Sequence, residues 1–308
     1  NKVAFRVTTV LNPPFTKVKD GMELKENDSD LNEKLDGYAI DLLRELASES
    51  GFEFNLQLSK DSAYGSNFNN GSWNGMIGEV YRGEADLALA DLTITSKRQE
   101  VVDFSFPFME TGVTLLIKRP PYYLHGKNSS RPPLLLYTVA SVDDLPDQNE
   151  IEYGVVRGGS TFYFFKESDH PKFRKIGEYL VKHSQEMPRS NREGVERVKN
   201  ANGTYAFFME SAALDYIVGK ECDVMQLGKR VNSRYYGIAM PKNFEFKTMI
   251  NTGLANLHER GLLQNLKEKW FPKPSKCEYK AIQPVYMRSA LNLIMYDVQM
   301  REKHESQI

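Results

Sequence analysis

The sequence predicts an α/β protein assembled from repeated β-α units, and three features of the chain carry that expectation. A strand-like run at 3–10 is followed by a helical pattern at 37–50 and then by strict apolar alternation at Phe52, Phe54, Leu56 and Leu58. The apolar segment Ala85-Asp86-Leu87-Ala88-Leu89-Ala90 runs into a helix start near Ser96. A second series of the same kind begins at Ile151. Strand-then-helix order builds mostly parallel sheets, with ligands bound at the carboxyl ends of the strands.

The elements follow in order. Ile40, Leu43 and Leu46 recur at helical spacing, and Gly51 closes that helix. A further helix is expected around 73–82. After the 85–90 strand, Ser96 followed three residues later by Gln99 has the form of a capping box, which places Arg98 in the first helical turn. Between Arg119 and Pro133 the composition shifts to Pro, Tyr, Gly, Asn and Ser, as in a linker or exposed excursion. Residues 151–156 then read as a strand, 157–159 as a loop and 160–166 as a helix. A strand at 205–209 ends at Glu210 and passes into a helix over 212–218. The last helix is expected over 247–270.

Composition excludes several function classes. With 40 basic and 41 acidic residues the formal charge is −1, which gives no electrostatic reason to bind nucleic acid or an anionic membrane surface. No apolar run approaches the roughly 18 residues of a membrane span, and the chain, beginning at Asn1, reads as a mature or excised soluble segment. The 2 cysteines, Cys222 and Cys277, are too few for a zinc site, so neither metal nor cofactor is expected; a disulfide and two buried thiols are both open readings. Sequons at Asn27, Asn70, Asn128 and Asn202 favour an oxidising, glycosylating compartment. The 5 histidines are scattered, and no catalytic motif accompanies them, so an enzyme is not expected.

What remains is a set of groups suited to an amino acid. Arg98 offers a rigid fork that matches a carboxylate, and the Thr93 hydroxyl and free helix-start amides can share the anion. Ser160 and Thr161 open a helix in the second unit and suit a second carboxylate. Glu210, at a strand end, supplies the charge an ammonium needs. Tyr64 and Tyr236 are candidates for an apolar lid and a hydroxyl.

The chain resembles the extracellular ligand-binding domain of ionotropic glutamate receptors, nearest the AMPA, kainate and delta branch. The likeness spans most of residues 3–277 and rests on Ala63-Tyr64-Gly65, Trp73-Asn74-Gly75-Met76, Leu92-Thr93-Ile94-Thr95, Arg98, Asp103-Phe104-Ser105, Pro107-Phe108-Met109, Gly159-Ser160-Thr161, Glu210-Ser211 and Tyr236-Gly237-Ile238-Ala239. The resemblance implies a two-lobed clamshell similar to periplasmic binding proteins, which closes on an agonist and opens a membrane channel. Lobe 1 would comprise 1–110 and 235–278, lobe 2 would comprise 111–234, and the 119–133 stretch falls where the pore would be inserted. By the same resemblance Arg98, Thr93 and the Ser160 amide hold the α-carboxylate, Glu210 the amine and Thr161 a side-chain carboxylate, while Tyr64 forms the roof. Cys222 and Cys277 match the family's disulfide. The family also implies pairing through the first lobes, with Ser96 and the helix from Lys247 on that face, within a homo- or hetero-oligomeric, tetrameric channel of the postsynaptic plasma membrane. L-Glutamate is the expected ligand. Glycine or another small amino acid, or a soluble transport-type binding protein, are the alternatives.

Several positions depart from the family pattern. Asp91 stands where a small residue or proline is usual, as either a second amine partner or a solvent-facing or capping acid. Asn12 replaces an acidic residue that bridges the lobes in the family and Asn191 lies near the position of its partner, so a neutral amide pair is expected between them; Ala213 leaves room beside the ligand, and Arg157 is a loop cation near the cleft mouth. Residues 279–308 do not resemble the family; they carry Leu291, Ile294, Met295 and Val298 at helical spacing in a tail too polar to span a membrane.

Overall fold

The strands in chain order are β1 (Ala4–Thr9), β2 (Lys17–Val18), β3 (Leu35–Asp36), β4 (Glu53–Leu58), β5 (Leu87–Ala88), β6 (Val102–Phe104) and β7 (Met109–Thr111). They continue with β8 (Val113–Lys118), β9 (Glu152–Gly154), β10 (Tyr205–Glu210), β11 (Val224–Leu227), β12 (Arg234–Tyr236) and β13 (Ala239–Pro241). Helices among them are α1 (Leu31–Lys34), α2 (Tyr38–Ser50), α3 (Gly75–Tyr81), α4 (Ser96–Gln99) and α5 (Ser160–Lys166). α6 (Pro171–Lys182), α7 (Asn191–Asn200), α8 (Ser211–Lys220), α9 (Lys247–Glu259) and α10 (Leu262–Trp270) follow. The computed structural model describes residues 2–25, 28, 30–68, 71–119, 139 and 141–271.

One sheet has the order β4-β1-β5-β13-β6. β1 is parallel to β4 along its whole length, from Ala4↔Glu53 to Thr9↔Leu58, and parallel to β5 at Val7↔Leu87. In this sheet the expected parallel order holds for these three strands, because β13 returns from late in the chain and lies antiparallel to both β5 and β6. Phe5 and Val7 point from β1 into a core that buries Ile40, Leu42, Leu43 and Leu46 of α2 and Ile250, Leu254 and Leu257 of α9. Removing one of these leucine side chains would cost about 2–5 kcal/mol. α10 is fastened to α2 by the Trp270 indole N–H, which donates to Asp41 at 2.8 Å.

A second sheet has the order β11-β8-β10-β9, with β8 antiparallel to both neighbours and β9 parallel to β10. Every residue of β8 from Val113 to Ile117 is buried, and apolar clusters cover both faces of the sheet. Burial on both faces explains the continuous apolar run, where a half-exposed strand would alternate.

Between the two sheets the chain passes twice, and the passing segments pair: β7 and β12 are antiparallel, with Arg234↔Thr111 and Tyr236↔Met109. The proposed lobe division, 1–110 with 235–278 and 111–234, runs through this pair. By compactness Asn1–Lys276 form one unit and Cys277–Ile308 another, the latter outside the described residues. Most of the 119–133 excursion, the 279–308 tail, Cys277, Asn27, Asn70 and Asn128 likewise lie outside them.

Three local expectations are corrected. The α4 cap is Thr95, in extended conformation, whose hydroxyl accepts the Arg98 N–H, while Ser96 is already helical. The single last helix is two, α9 and α10, separated by left-handed Gly261. Of the segment 85–90 only Leu87–Ala88 enters the ladder, although Ala85, Leu89 and Ala90 are buried.

Candidate functional site

Tyr64, Asp91, Thr93, Arg98, Ser160, Thr161, Glu210 and Tyr236 all line one cavity of about 60 Å³, together with Asn191 and Ala213. The first sheet and its loops supply Tyr64, Asp91, Thr93 and Arg98; β10 and the starts of α5 and α7 supply Glu210, Ser160, Thr161 and Asn191. Sequence separations beyond 100 residues are thus closed by the two passing strands.

Arg98 is 4% exposed and bracketed by backbone. Nη1 donates to the Thr93 carbonyl at 2.7 Å, and Nη2 and Nε donate to the Gly65 carbonyl at 3.2 and 3.4 Å. Of five N–H donors this leaves one on each terminal nitrogen, a fork matched to a carboxylate. Burial lowers its pKa to about 10, opposed by the Glu210 charge, so the guanidinium stays charged at neutral pH.

The loop under Arg98 depends on Gly75, which opens α3 at φ 61°, where an added Cβ would lie 2.3 Å from the Ala63 carbonyl oxygen. Close contact there fixes the Ala63-Tyr64-Gly65 segment, as do the Met76 and Ile77 amides, which donate to the Ala63 and Tyr64 carbonyls. Tyr64 in turn donates its hydroxyl to Asp91 at 2.8 Å. Burial and the Asp91 charge raise the Tyr64 pKa.

Asp91 is 7% exposed, which excludes the solvent-facing reading. Its other oxygen accepts from the Asn12 side-chain amide at 2.8 Å. Asn12 is therefore directed to Asp91, and no hydrogen bond joins it to Asn191 among the described residues; the expected amide pair across the lobes is not formed. Burial pushes the Asp91 carboxyl up to about 7, against the two hydrogen bonds and with the Glu210 charge.

Glu210 collects three donors on Oε1: the Thr93 hydroxyl at 2.8 Å, the Ser160 hydroxyl at 3.3 Å and Arg234 Nη1 at 3.1 Å. Arg234 also donates to the Ser160 hydroxyl and carbonyl and lies 4.9 Å from the Phe164 ring centroid. With both partners about one-tenth exposed, the Arg234–Glu210 pair is largely desolvated. Sequence reasoning missed Arg234. The available signal was its position two residues before Tyr236, which in a strand puts both side chains on one face.

Thr93 and Ser160 thus serve Glu210 here, and Thr161 is buried at the start of α5, where Gly159 offers no side-chain cap. Tyr236 is no lid: it is fully buried, edge-on to Phe15 at 5.5 Å and beside Phe108, and its hydroxyl has no hydrogen-bond partner among the described residues. Arg157 is exposed and donates to the Gln185 carbonyl, outside the cavity lining. Across the cleft the Ser66 hydroxyl donates to the Gly158 carbonyl. Cys222 is disulfide-bonded, and Asn202 sits in an exposed turn at φ 49°.

Comparisons with known proteins now bear on this cavity. Residues 3–121 match the family described as "Ligated ion channel L-glutamate- and glycine-binding site". A "Glutamate receptor" of Lymnaea stagnalis is 27% identical over 394 aligned positions, covering 93% of this chain and 42% of that protein. "Glutamate receptor ionotropic, kainate glr-3" of Caenorhabditis elegans is 28% identical over 348, covering 79% of this chain and 41% of that protein. The chain therefore spans about two fifths of the length of these relatives. Among solved structures, "Drosophila muscle GluRIIB complex with glutamate" superposes with a TM-score of 0.76 at 35% identity, covering 87% of this chain and 99% of that one.

Proposed function

The chain belongs to the ionotropic glutamate receptor ligand-binding domains, and from that premise we propose that it is the agonist-binding domain of a ligand-gated cation channel and takes L-glutamate. One observation carries the reading: a buried arginine fork, a buried carboxylate and an uncapped helix start with the Thr161 hydroxyl converge on one cavity. An α-amino acid with a second carboxylate needs those three receptors.

Arg98 receives the α-carboxylate on the two N–H groups not committed to the Thr93 and Gly65 carbonyls. The ligand ammonium takes its place beside Glu210, competing there with Arg234 and the two hydroxyls. Thr93 and Ser160, freed from Glu210, then turn to the carboxylate. Thr161 and the adjoining amides accept the distal carboxylate, and Tyr64 covers the ligand from its position over Asp91. Because the ligand touches groups from both sheets, it favours the closed arrangement of the lobes, and that differential affinity is what drives gating. The Lymnaea alignment, 394 positions long against 308 residues, includes stretches of that relative with no counterpart here, which suits a pore inserted within the 119–133 stretch as the family pattern has it. The Asn202 sequon and the Cys222 disulfide suit an extracellular location on a plasma-membrane receptor, and pairing of domains through the first lobe, with Ser96 and α9 on that face, follows the family.

Glycine is the second reading, favoured by the small cavity of about 60 Å³. Isothermal titration of the chain with L-glutamate, repeated with glycine in the cell, separates the two. One-to-one glutamate binding that glycine barely disturbs supports the glutamate reading; no glutamate heat, or strong competition by glycine, overturns it.

A further inference from the structure

Two carboxylates line the cavity, and they are held by different means. Glu210 is paired with a cation, Arg234, at 3.1 Å. Asp91, 7% exposed, is met by neutral donors only: the Tyr64 hydroxyl on one oxygen and the Asn12 amide on the other, each at 2.8 Å. No ion pair reaches it among the described residues. The ionisable groups acting around it are Tyr64 from the loop before α3, Arg98 of α4, Glu210 at the end of β10, and Tyr236 of β12 with Arg234 two residues before it. Arg98 spends its nearer donors on the Thr93 and Gly65 carbonyls, and Arg234 is spent on Glu210 and Ser160. Desolvation and the Glu210 charge hold the Asp91 carboxyl near 7, so the unliganded site contains both its protonated and ionised forms at neutral pH.

An ammonium group entering this cavity changes that balance, since a cation close to a buried carboxylate favours its ionised form. We propose that Asp91 is a second acceptor for the agonist's ammonium and that binding expels its proton: the carboxyl O–H breaks, the proton passes to solvent, and the carboxylate faces the cation while Tyr64 and Asn12 hold it in place. This inference rests on the amino-acid reading of the cavity and deepens it, because it makes agonist affinity depend on pH through a second buried carboxylate of the same cavity. The proton must leave before the ammonium is fully paired, so affinity is highest above the unliganded midpoint and falls as pH drops through it. Apparent affinity should be about tenfold weaker at pH 6 than at pH 8, with about half a proton released per glutamate at pH 7. The amino and carboxyl groups of glutamate themselves do not titrate appreciably in this range.

The test is titration calorimetry with L-glutamate at pH 6, 7 and 8 in buffers of differing ionisation enthalpy, which counts the protons exchanged on binding. Wild-type protein should release protons near pH 7, and Asp91→Asn should bind with no proton count and a Kd that no longer varies with pH. Should Asp91→Asn fail to fold, Asn12→Ala serves: loss of a donor to the carboxylate shifts the midpoint of the affinity loss to higher pH. Glutamate binding without proton exchange in the wild type overturns this inference and leaves the glutamate reading intact. Undiminished proton release in Asp91→Asn, or an unmoved midpoint in Asn12→Ala, overturns the assignment to Asp91. Absence of glutamate binding at every pH overturns both readings together.

Discussion

Replacing Arg98 by alanine should remove agonist binding and also weaken the fold, and the two costs can be worked separately. On the ligand side, the two N–H groups facing the cavity supply a pair of charge-assisted hydrogen bonds worth about 1.5–3 kcal/mol each, so affinity should fall roughly 10²- to 10⁴-fold. On the protein side, the Thr93 and Gly65 carbonyls lose their guanidinium donors. Leaving two buried acceptors unmet costs about 1–3 kcal/mol apiece, at the lower end where water refills the space, or roughly 5–15 °C in Tm for a domain of this size. Calorimetric titration with glutamate, on protein shown by circular dichroism to be folded at the titration temperature, gives the first quantity, and a thermal melt gives the second. A folded variant that keeps affinity within tenfold of wild type would refute the carboxylate role. An unchanged Tm would refute the claim that Arg98 braces the two loops.

Three further predictions follow from the same contacts. Arg234→Gln strips the desolvated Glu210 of its cation, so the unliganded domain should lose about 3 kcal/mol while the liganded one, whose ammonium replaces that cation, loses less; a melt with and without glutamate checks this, and equal losses in both states contradict it. Gly75→Ala forces a Cβ to within 2.3 Å of the Ala63 carbonyl oxygen, so it should lower both stability and agonist affinity by displacing Tyr64, and a variant with wild-type melting and binding would show that the loop is not fixed there. Asp91 has a folded pKa of about 7, above its unfolded value, so its contribution to stability is complete below the unfolded pKa and is lost as pH rises through 7; the unliganded Asp91→Asn protein should be more stable than wild type at pH 8, by up to about 4 kcal/mol, and melt correspondingly higher, with the difference vanishing toward pH 4. A difference that does not change with pH would place its cause elsewhere.

The site was legible in sequence wherever its residues lie next to strong local signals. Thr93 and Arg98 flank a helix start, Ser160 and Thr161 begin another, and Glu210 ends an apolar strand, so local pattern and chemistry point the same way. Arg234 carried no such signal: its place over Ser160 and Glu210 arises from the pairing of β12 with β7, a contact between segments 123 positions apart at Arg234↔Thr111. Asn12 was assigned to Asn191 by the family pattern, yet the Asp91 carboxyl offers its amide an acceptor at 2.8 Å that becomes charge-assisted when ionised. The parallel sheet was half legible, since periodicity identifies strands but cannot say that β13 returns from late in the chain. Gly261 was passed over within an otherwise continuous helical pattern, although its left-handed conformation separates α9 from α10. The shift of the α4 cap from Ser96 to Thr95 is a matter of backbone conformation, as either hydroxyl would serve.

The most direct test of the account is a crystal structure of the chain grown with L-glutamate. The α-carboxylate should lie within hydrogen-bond distance of the Arg98 terminal nitrogens, the ammonium beside Glu210, and the distal carboxylate on Thr161 and its neighbouring amides. Glutamate bound elsewhere, or an unaltered cavity in which Thr93, Ser160 and Arg234 still converge on Glu210 at saturating ligand, would contradict it.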